Sequence, residues 1–292
     1  QHIGDVENGE TFDAWHEARH RMSNLFELEP HALACDLHPT YLSSQWARAE
    51  ASADGRPPIE VQHHHAHIAS VIAEMAARGI IGPAEQVLGI ALDGTGAGTD
   101  GTVWGGEVMI ASLSGFTRMA HLKPWRLPAG MASVRDARRN AFSLLHSCEL
   151  LDHPGARMLV EGLSEAERAV TATMIERGLN SPLTSSMGRL LDAMAAMLGI
   201  CLNATYEGEP AIMLEAAAWR ALGTDGARRA HDRADSSGYR FSMHEQPVSA
   251  PDEQTRQRRS RVGEHAIDQV IELDPTPMVR AALDDLMAGR PV

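Results

Sequence analysis

The 292-residue chain is short of cysteine, of positive charge and of long apolar runs, and each shortage excludes something. Its 3 cysteines, Cys35, Cys148 and Cys201, stand far apart with no CxxC spacing. That excludes a disulfide framework and a zinc ribbon, and it favours a reducing compartment, so the cytoplasm is the expected location. Only 26 Lys and Arg face 39 Asp and Glu, a formal net charge of -13 at pH 7. Such a chain has no general attraction for phosphate backbones or anionic lipid, and nucleic acid is not an expected partner. No apolar run approaches the roughly 18 residues of a membrane span. The opening QHIGDVENGE lacks the basic and apolar regions of a signal peptide, so no membrane is expected either. No repeat of solenoid length is present. The first residue is Gln1 rather than Met, and the last residues follow directly on a helical pattern, from which a fragment of a longer polypeptide is expected.

What the chain does have is histidine, 15 in all, with four between His63 and His67. The surrounding text alternates strand and helix patterns. HALACDLHPTYLSSQWARAE reads as a short strand, a turn at His38-Pro39 and a helix. Ile59 to Val61 is a second short strand, leading into the histidines and a helix to Arg78. That helix carries an apolar stripe of Ile68, Val71, Ile72 and Met75, expected to face a core, and Gly79 is placed to stop it. Val87 to Leu92 reads as a buried strand, DGTGAGTDG as a glycine-dense tip, and Thr102 to Ser112 as the returning strand of a hairpin. HLKPWRLPAG is a loop, followed by a basic helix from about Val134 to Leu151. Ser164 and Glu167 fit a capping box, and Gly188 to Leu198 is an amphipathic helix stopped by Gly199. Pro210 opens another helix to Ala221. Thr224 to Gly263, polar and rich in arginine from Arg256 to Arg261, is expected to be a mobile surface insertion. A strand in AIDQVIELD and a helix from Pro277 to Met287 close the chain.

Two motifs carry chemistry. His63 and His67 are four apart at a helix start, which sets both imidazoles on one face a turn apart, close enough to share a cation. The plainer alternative is one capping histidine among solvated neighbours. A zinc-protease HExxH is excluded, because position 64 is His where a general-base Glu is needed. Asp93 ends a strand and precedes glycines whose amides can approach an anion without a Cβ in the way. The stretch is no Walker loop, since no GK[ST] follows, and the plainer alternative is a simple glycine-rich hairpin. A glycine turn between strands with an inward Asp is, however, how actin-like ATPases hold phosphates, and Asp93 would then be a third metal ligand.

Taken in order, CDLHPTY, HHHAH, DGTGAGTDGTVWGGE, TSSMGRLLDAMAAMLGI and TYEGEPA resemble the Kae1-like domain of the hydrogenase maturation carbamoyltransferase HypF. The resemblance runs from Gln1 to Glu215. It implies an α/β fold of the two-lobed actin-like ATPase (ASKHA/Kae1-like) type, incomplete at the C-terminus. Residues 1–30 would be a lead-in, 31–160 a first lobe with the His cluster and glycine hairpin, and 161–292 part of a second lobe. It implies an iron or zinc ion on His63, His67 and Asp93, and a nucleotide held by Asp93, Gly94, Thr95, Gly96, Asp192 and Gly208. The reaction implied is carbamoyl transfer from ATP-derived carbamoyl adenylate to the C-terminal cysteine of HypE, with the remaining HypF domains as partners. The acceptor thiol would come from HypE, so no nucleophile of this chain is required, and the three cysteines read as core residues. Two departures stand out: LPAGMASVRDARRN replaces the family's LPGGD…REPWR, and no SGGVFQN-type loop or late metal-shell Asp follows. The alternatives are an O-carbamoyltransferase or a tRNA threonylcarbamoyl transferase-like enzyme, and a truncated relative that only binds metal or a partner.

Overall fold

The computed structural model describes residues 6, 8–53, 55–222, 239–248 and 250–289. Helix α1 (Gly9–Leu25) is capped by Asn8, whose side chain accepts from the Thr11 amide, and buries none of its residues fully. It leans on α2 (Leu42–Ala53) through Trp15, whose ring meets Trp46 edge-on at 5.1 Å. Between them strand β1 (Ala34–Asp36) pairs in parallel with β2 (Ile59–Val61), and the register sets Asp36 opposite Val61. Parallel pairing needs a crossover, which α2 provides. It also brings the end of β1 beside the start of α3.

Helix α3 runs His63–Ala77, so the histidines form its first turn. Gln62 is the N-cap, its side chain accepting from the His65 amide, and Gly79 takes the left-handed conformation (φ 69°) that ends the helix. The expected stripe is half right. Ile68 and Ile72 are buried, but Val71 faces outward at 55 % exposure.

A five-stranded sheet follows, in the order β3 (Val87–Leu92), β4 (Gly106–Ala111), β5 (Phe116–Leu122), β9 (Gln269–Asp274), β8 (Ser242–Pro247). The β3–β4 hairpin is there, with a longer tip than expected. Strand β3 is not buried on both faces: Gly89 and Ala91 pack toward Ile68 of α3, while Leu88, Ile90 and Leu92 are 67, 64 and 62 % exposed. Among the described residues β3 pairs only with β4, so it forms the open edge of the sheet.

Two features of this sheet bear on the expected domain organisation. Strands β5 and β9 pair in parallel, Ala120 with Ile271, so the sheet continues across the boundary placed at residue 160. Residues 224–238 and 249 of the expected insertion lie outside the described residues. In the rest of it β8 pairs antiparallel with β9, and Glu253–Arg261 forms helix α10, capped by Asp252.

Short strands β6 (Trp125–Arg126) and β7 (Leu183–Thr184) pair beside the sheet. The basic helix predicted over Val134 to Leu151 is two: α4 (Met131–Arg135) and α5 (Ala137–Ser147). They are separated by Asp136, which leaves helical geometry at φ -102°, ψ 88° and caps α5. After α6 (Arg157–Glu161), α7 (Glu165–Arg177) opens on the Ser164–Glu167 capping box and ends at left-handed Gly178. Helices α8 (Met187–Met197), α9 (Glu209–Leu222) and α11 (Thr276–Met287) complete the chain.

There are two main cores. One joins Ile68 and Ile72 of α3 to Met109, Ala111, Phe116 and Trp104. The other packs α5, α8 and α11 around Leu144, Leu145, Leu190, Val279 and Leu283, with Leu122 and Trp125. Among the described residues no helix is long and apolar enough to cross a membrane.

Candidate metal centre

The first turn of α3 and the end of β3 meet. His63 Nε2 lies 3.2 Å from His67 Nε2 and 3.2 Å from Asp93 Oδ2, and His67 Nε2 is 3.4 Å from the same oxygen. Four-coordinate zinc with bonds of about 2.0–2.1 Å has ligand atoms roughly 3.3 Å apart, so this triangle has the dimensions of one face of a tetrahedron. Two imidazole nitrogens and a carboxylate oxygen suit iron or zinc, and the triad leaves a further position open. His67 is the outermost of the three, and a cleft of about 640 Å³ along the open edge of β3 reaches His67 and Asp93.

Electrostatics show how firmly His63 and Asp93 hold each other. A hydrogen bond to Asp36, and a second to Asp93, raise the His63 imidazolium to about 9. Burial pushes the Asp93 carboxyl up, but the hydrogen bonds from His63 and the Gly94 amide outweigh it and hold the group at about 2. A positive charge therefore already sits between two carboxylates, where a divalent ion would replace it. Next to them, burial pulls His64 down to about 4, which keeps that ring neutral.

The Asp93 backbone is fixed by two elements. Its amide donates to Gly105 O at 2.8 Å, and its carbonyl accepts from Gly188 N at 3.0 Å and from Ser186 Oγ at 2.7 Å. Ser186 is the N-cap of α8 and Gly188 lies in its first turn, where a Cβ would come within 2.7 Å of Gly94 Cα. The SSMG stretch is thus the seat on which the Asp93 turn rests.

The other predicted residues distribute unevenly. The Gly94 amide is taken up by Asp93 Oδ1 at 2.6 Å, Thr95 is exposed, and Gly96 is buried against the histidine rings. Asp192 is 1 % exposed. Arg189 Nε stands 2.9 Å from its Oδ2, yet neither carboxylate oxygen has a hydrogen-bond donor aligned on it among the described residues. Burial raises this carboxyl to about 6, against the pull of Arg189. Gly208 is left-handed (φ 79°) at the start of α9 with open space where a Cβ would be, and the neighbouring Glu207 side chain reaches toward Gly94. Cys148 and Cys201 are buried and Cys35 is half-buried, with burial raising each thiol.

Sequence reasoning missed the residues around the triad. Asp36 Oδ2 is 2.7 Å from His63 Nδ1. Glu107, with no exposure, accepts from Gly105 N, Gly106 N and Ser185 Oγ, and pairs with Arg118 at 2.6 Å. Arg118 also reaches Asp100 and lies 3.9 Å above the Trp104 ring, so the WGGE stretch is the anchor of the glycine turn. The only signal for Asp36 was its place in CDLHPTY. For Glu107 it was its place at the end of DGTGAGTDGTVWGGE, and for Arg118 there was none.

Residues 1–74 match the family described as HypF Kae1-like domain, and residues 89–292 the family described as Carbamoyltransferase, Kae1-like Domain, second subdomain. Among curated proteins, Carbamoyltransferase HypF of Rhodobacter capsulatus is 40 % identical over 221 residues, 74 % of this chain and 28 % of that protein. A Carbamoyltransferase HypF homolog of Cupriavidus necator is also 40 % identical, over 74 % of this chain and 53 % of its own length. Among solved structures, full-length HypF in a phosphate- and nucleotide-bound form aligns over 99 % of this chain and 38 % of its own, with TM-score 0.73 and 30 % identity. The chain thus spans between about a quarter and about half of the curated relatives it matches.

Proposed function

This chain belongs to the HypF carbamoyltransferase family, within its Kae1-like region, and from that premise we propose that it carries the carbamoyl-transfer step itself. The donor is carbamoyl adenylate and the acceptor the C-terminal cysteine of HypE, in the synthesis of the cyanide ligands of a NiFe hydrogenase. The thiolate attacks the carbamoyl carbon, a C–S bond forms, the C–O bond to the adenylate phosphate breaks, and AMP leaves with the electron pair.

The observation that carries the reading is the convergence of His63, His67 and Asp93 beside a glycine turn in a chain of this family. These three residues would hold iron or zinc, which supplies positive charge for the phosphate of the leaving group. The chain's own contribution is positioning. Asp93 is fixed between β3 and α8, Gly96 leaves room for the rings, and the open cleft beside β3 admits the acceptor. Asp192, a buried carboxylate with no aligned donor, remains the candidate for a nucleoside hydroxyl.

Incubating the protein with carbamoyl adenylate and HypE, and reading intact mass, tests the proposal. A carbamoyl increment on the last cysteine of HypE with release of AMP is expected, and the His63→Ala, His67→Ala double variant should abolish it. Transfer to a different acceptor, or an increment that survives the double variant, refutes the reading.

A further inference from the structure

We propose that Asp36 is the positioning residue that fixes His63 in the one tautomer able to bind metal; the inference rests on the metal-centre reading above. The two residues are 27 apart in sequence, and the parallel register of β1 with β2, Asp36 opposite Val61, brings them together. At the end of β1 Asp36 is held through both its carboxylate and its backbone. Its Oδ1 accepts from the His38 amide at 2.7 Å, and the Asp36 carbonyl accepts from Ser44 Oγ at 3.0 Å and from the Arg48 guanidinium at 3.3 Å. Its Oδ2 is thereby aimed at His63 Nδ1, 2.7 Å away.

An ionised carboxylate only accepts hydrogen bonds, so Nδ1 must carry the proton. The lone pair of the neutral ring is then on Nε2, the atom that faces His67 and Asp93. The bond fixes ring orientation as well as tautomer and makes the imidazole more electron-rich, as carboxylate partners of metal-bound histidines do. His67 is the exposed member of the pair, its side chain 62 % accessible against 27 % for His63. The centre is therefore asymmetric, with a held ligand in His63 and an outer one in His67.

Asp36→Asn is the discriminating change because it keeps size and shape. Two N–H donors, His38 N and His63 Nδ1, would face one amide oxygen and one amide NH₂. Either the turn loses its acceptor, or His63 turns over and puts its proton on Nε2. Zinc affinity of the protein, measured by chelator competition, should fall about 10–100-fold in Asp36→Asn, the range for lost outer-sphere partners. An affinity within twofold of wild type overturns the proposal while leaving the metal centre standing. A wild-type chain that takes up no zinc overturns both. A second measurement needs no variant: ring ¹⁵N shifts of His63 in the zinc-loaded wild-type protein should show the proton on Nδ1. A proton on Nε2 would overturn the assignment.

Discussion

Gly96→Ala should cripple the candidate centre without replacing any of its ligands. A Cβ at this position would lie 2.4 Å from His64 Cε1, 3.0 Å from His64 Nε2 and 3.1 Å from His63 Cδ2. Carbon atoms in good contact are about 3.5–4.0 Å apart, so the methyl overlaps the His64 ring by roughly 1 Å. The ring has no route of retreat. It is fully buried, Gln62 Nε2 donates to its Nδ1 at 3.2 Å, and its other face looks onto Trp104, itself fully buried and bonded to Asp100. Gly96 has an ordinary backbone conformation, so space alone demands the glycine.

Overpacking of a rigid site costs about 1–3 kcal/mol. At about 2–4 °C per kcal/mol for a domain of this order, the melting temperature should fall by roughly 2–12 °C. The strain is relieved either by displacing the histidines or by lifting the glycine turn. Both routes open the 3.2 Å His63–Asp93 edge. Zinc affinity by chelator competition should therefore drop about tenfold or more, as for a lost supporting contact. Gly82→Ala is the matched control, since its Cβ would meet only Glu85 Oε2 at 3.8 Å. If Gly96→Ala keeps both affinity and melting temperature at the level of Gly82→Ala, the close packing of the turn on the histidines is wrong.

Arg118→Met should destabilise the fold by about 3–5 kcal/mol in urea unfolding, because it strands the fully buried Glu107 carboxylate. Adding Glu107→Gln should recover part of that loss, and an unchanged double variant would argue against the pairing. Asp192 supplies a pH signature. Its carboxyl is raised from 3.8 to about 6, so between those values the native state binds more protons than the unfolded one and stability falls as pH rises. Relative to Asp192→Asn, the wild type should lose up to about 3 kcal/mol of unfolding free energy between pH 4 and pH 7. A difference that stays flat across that range removes the buried, poorly solvated carboxylate.

Much of the fold was legible where local signals suffice. The Ser164–Glu167 capping box, Gly79 and Gly199 as helix ends, and strands β1, β2, β3 and β9 all follow from spacing or period. What escaped was written in charge rather than hydrophobicity. Strand β5, FTRMAHL, breaks its apolar pattern with Arg118 and His121, which are taken up by Glu107 and by the Leu122 carbonyl. Strand β8, SMHEQP, is an edge strand whose side chains stay mostly in water, and edges need no apolar alternation. Helix α10 looks like a solvated loop by composition, yet Arg258 donates to Thr99 O, Arg261 reaches Glu60, and Val262 is buried behind them.

The site divides along the same line. His63 and His67 are a local pair, set by 3.6 residues per turn, and Asp93 is marked by the strand that ends on it. Their convergence is not local at all. It depends on α3 packing Ile68 into the gap left by Gly89, where a Cβ would come within 2.6 Å, so that the first turn of the helix arrives level with the end of β3. That contact, one residue past His67 on α3 and four before Asp93 on β3, links packing to the geometry of the ligands. A side chain at residue 89 would push the whole of α3 away from the strand and carry both imidazoles with it. The glycine inside β3 therefore serves the candidate metal centre as directly as the glycines in its tip, although nothing in VLGIAL marks it as anything but an interruption.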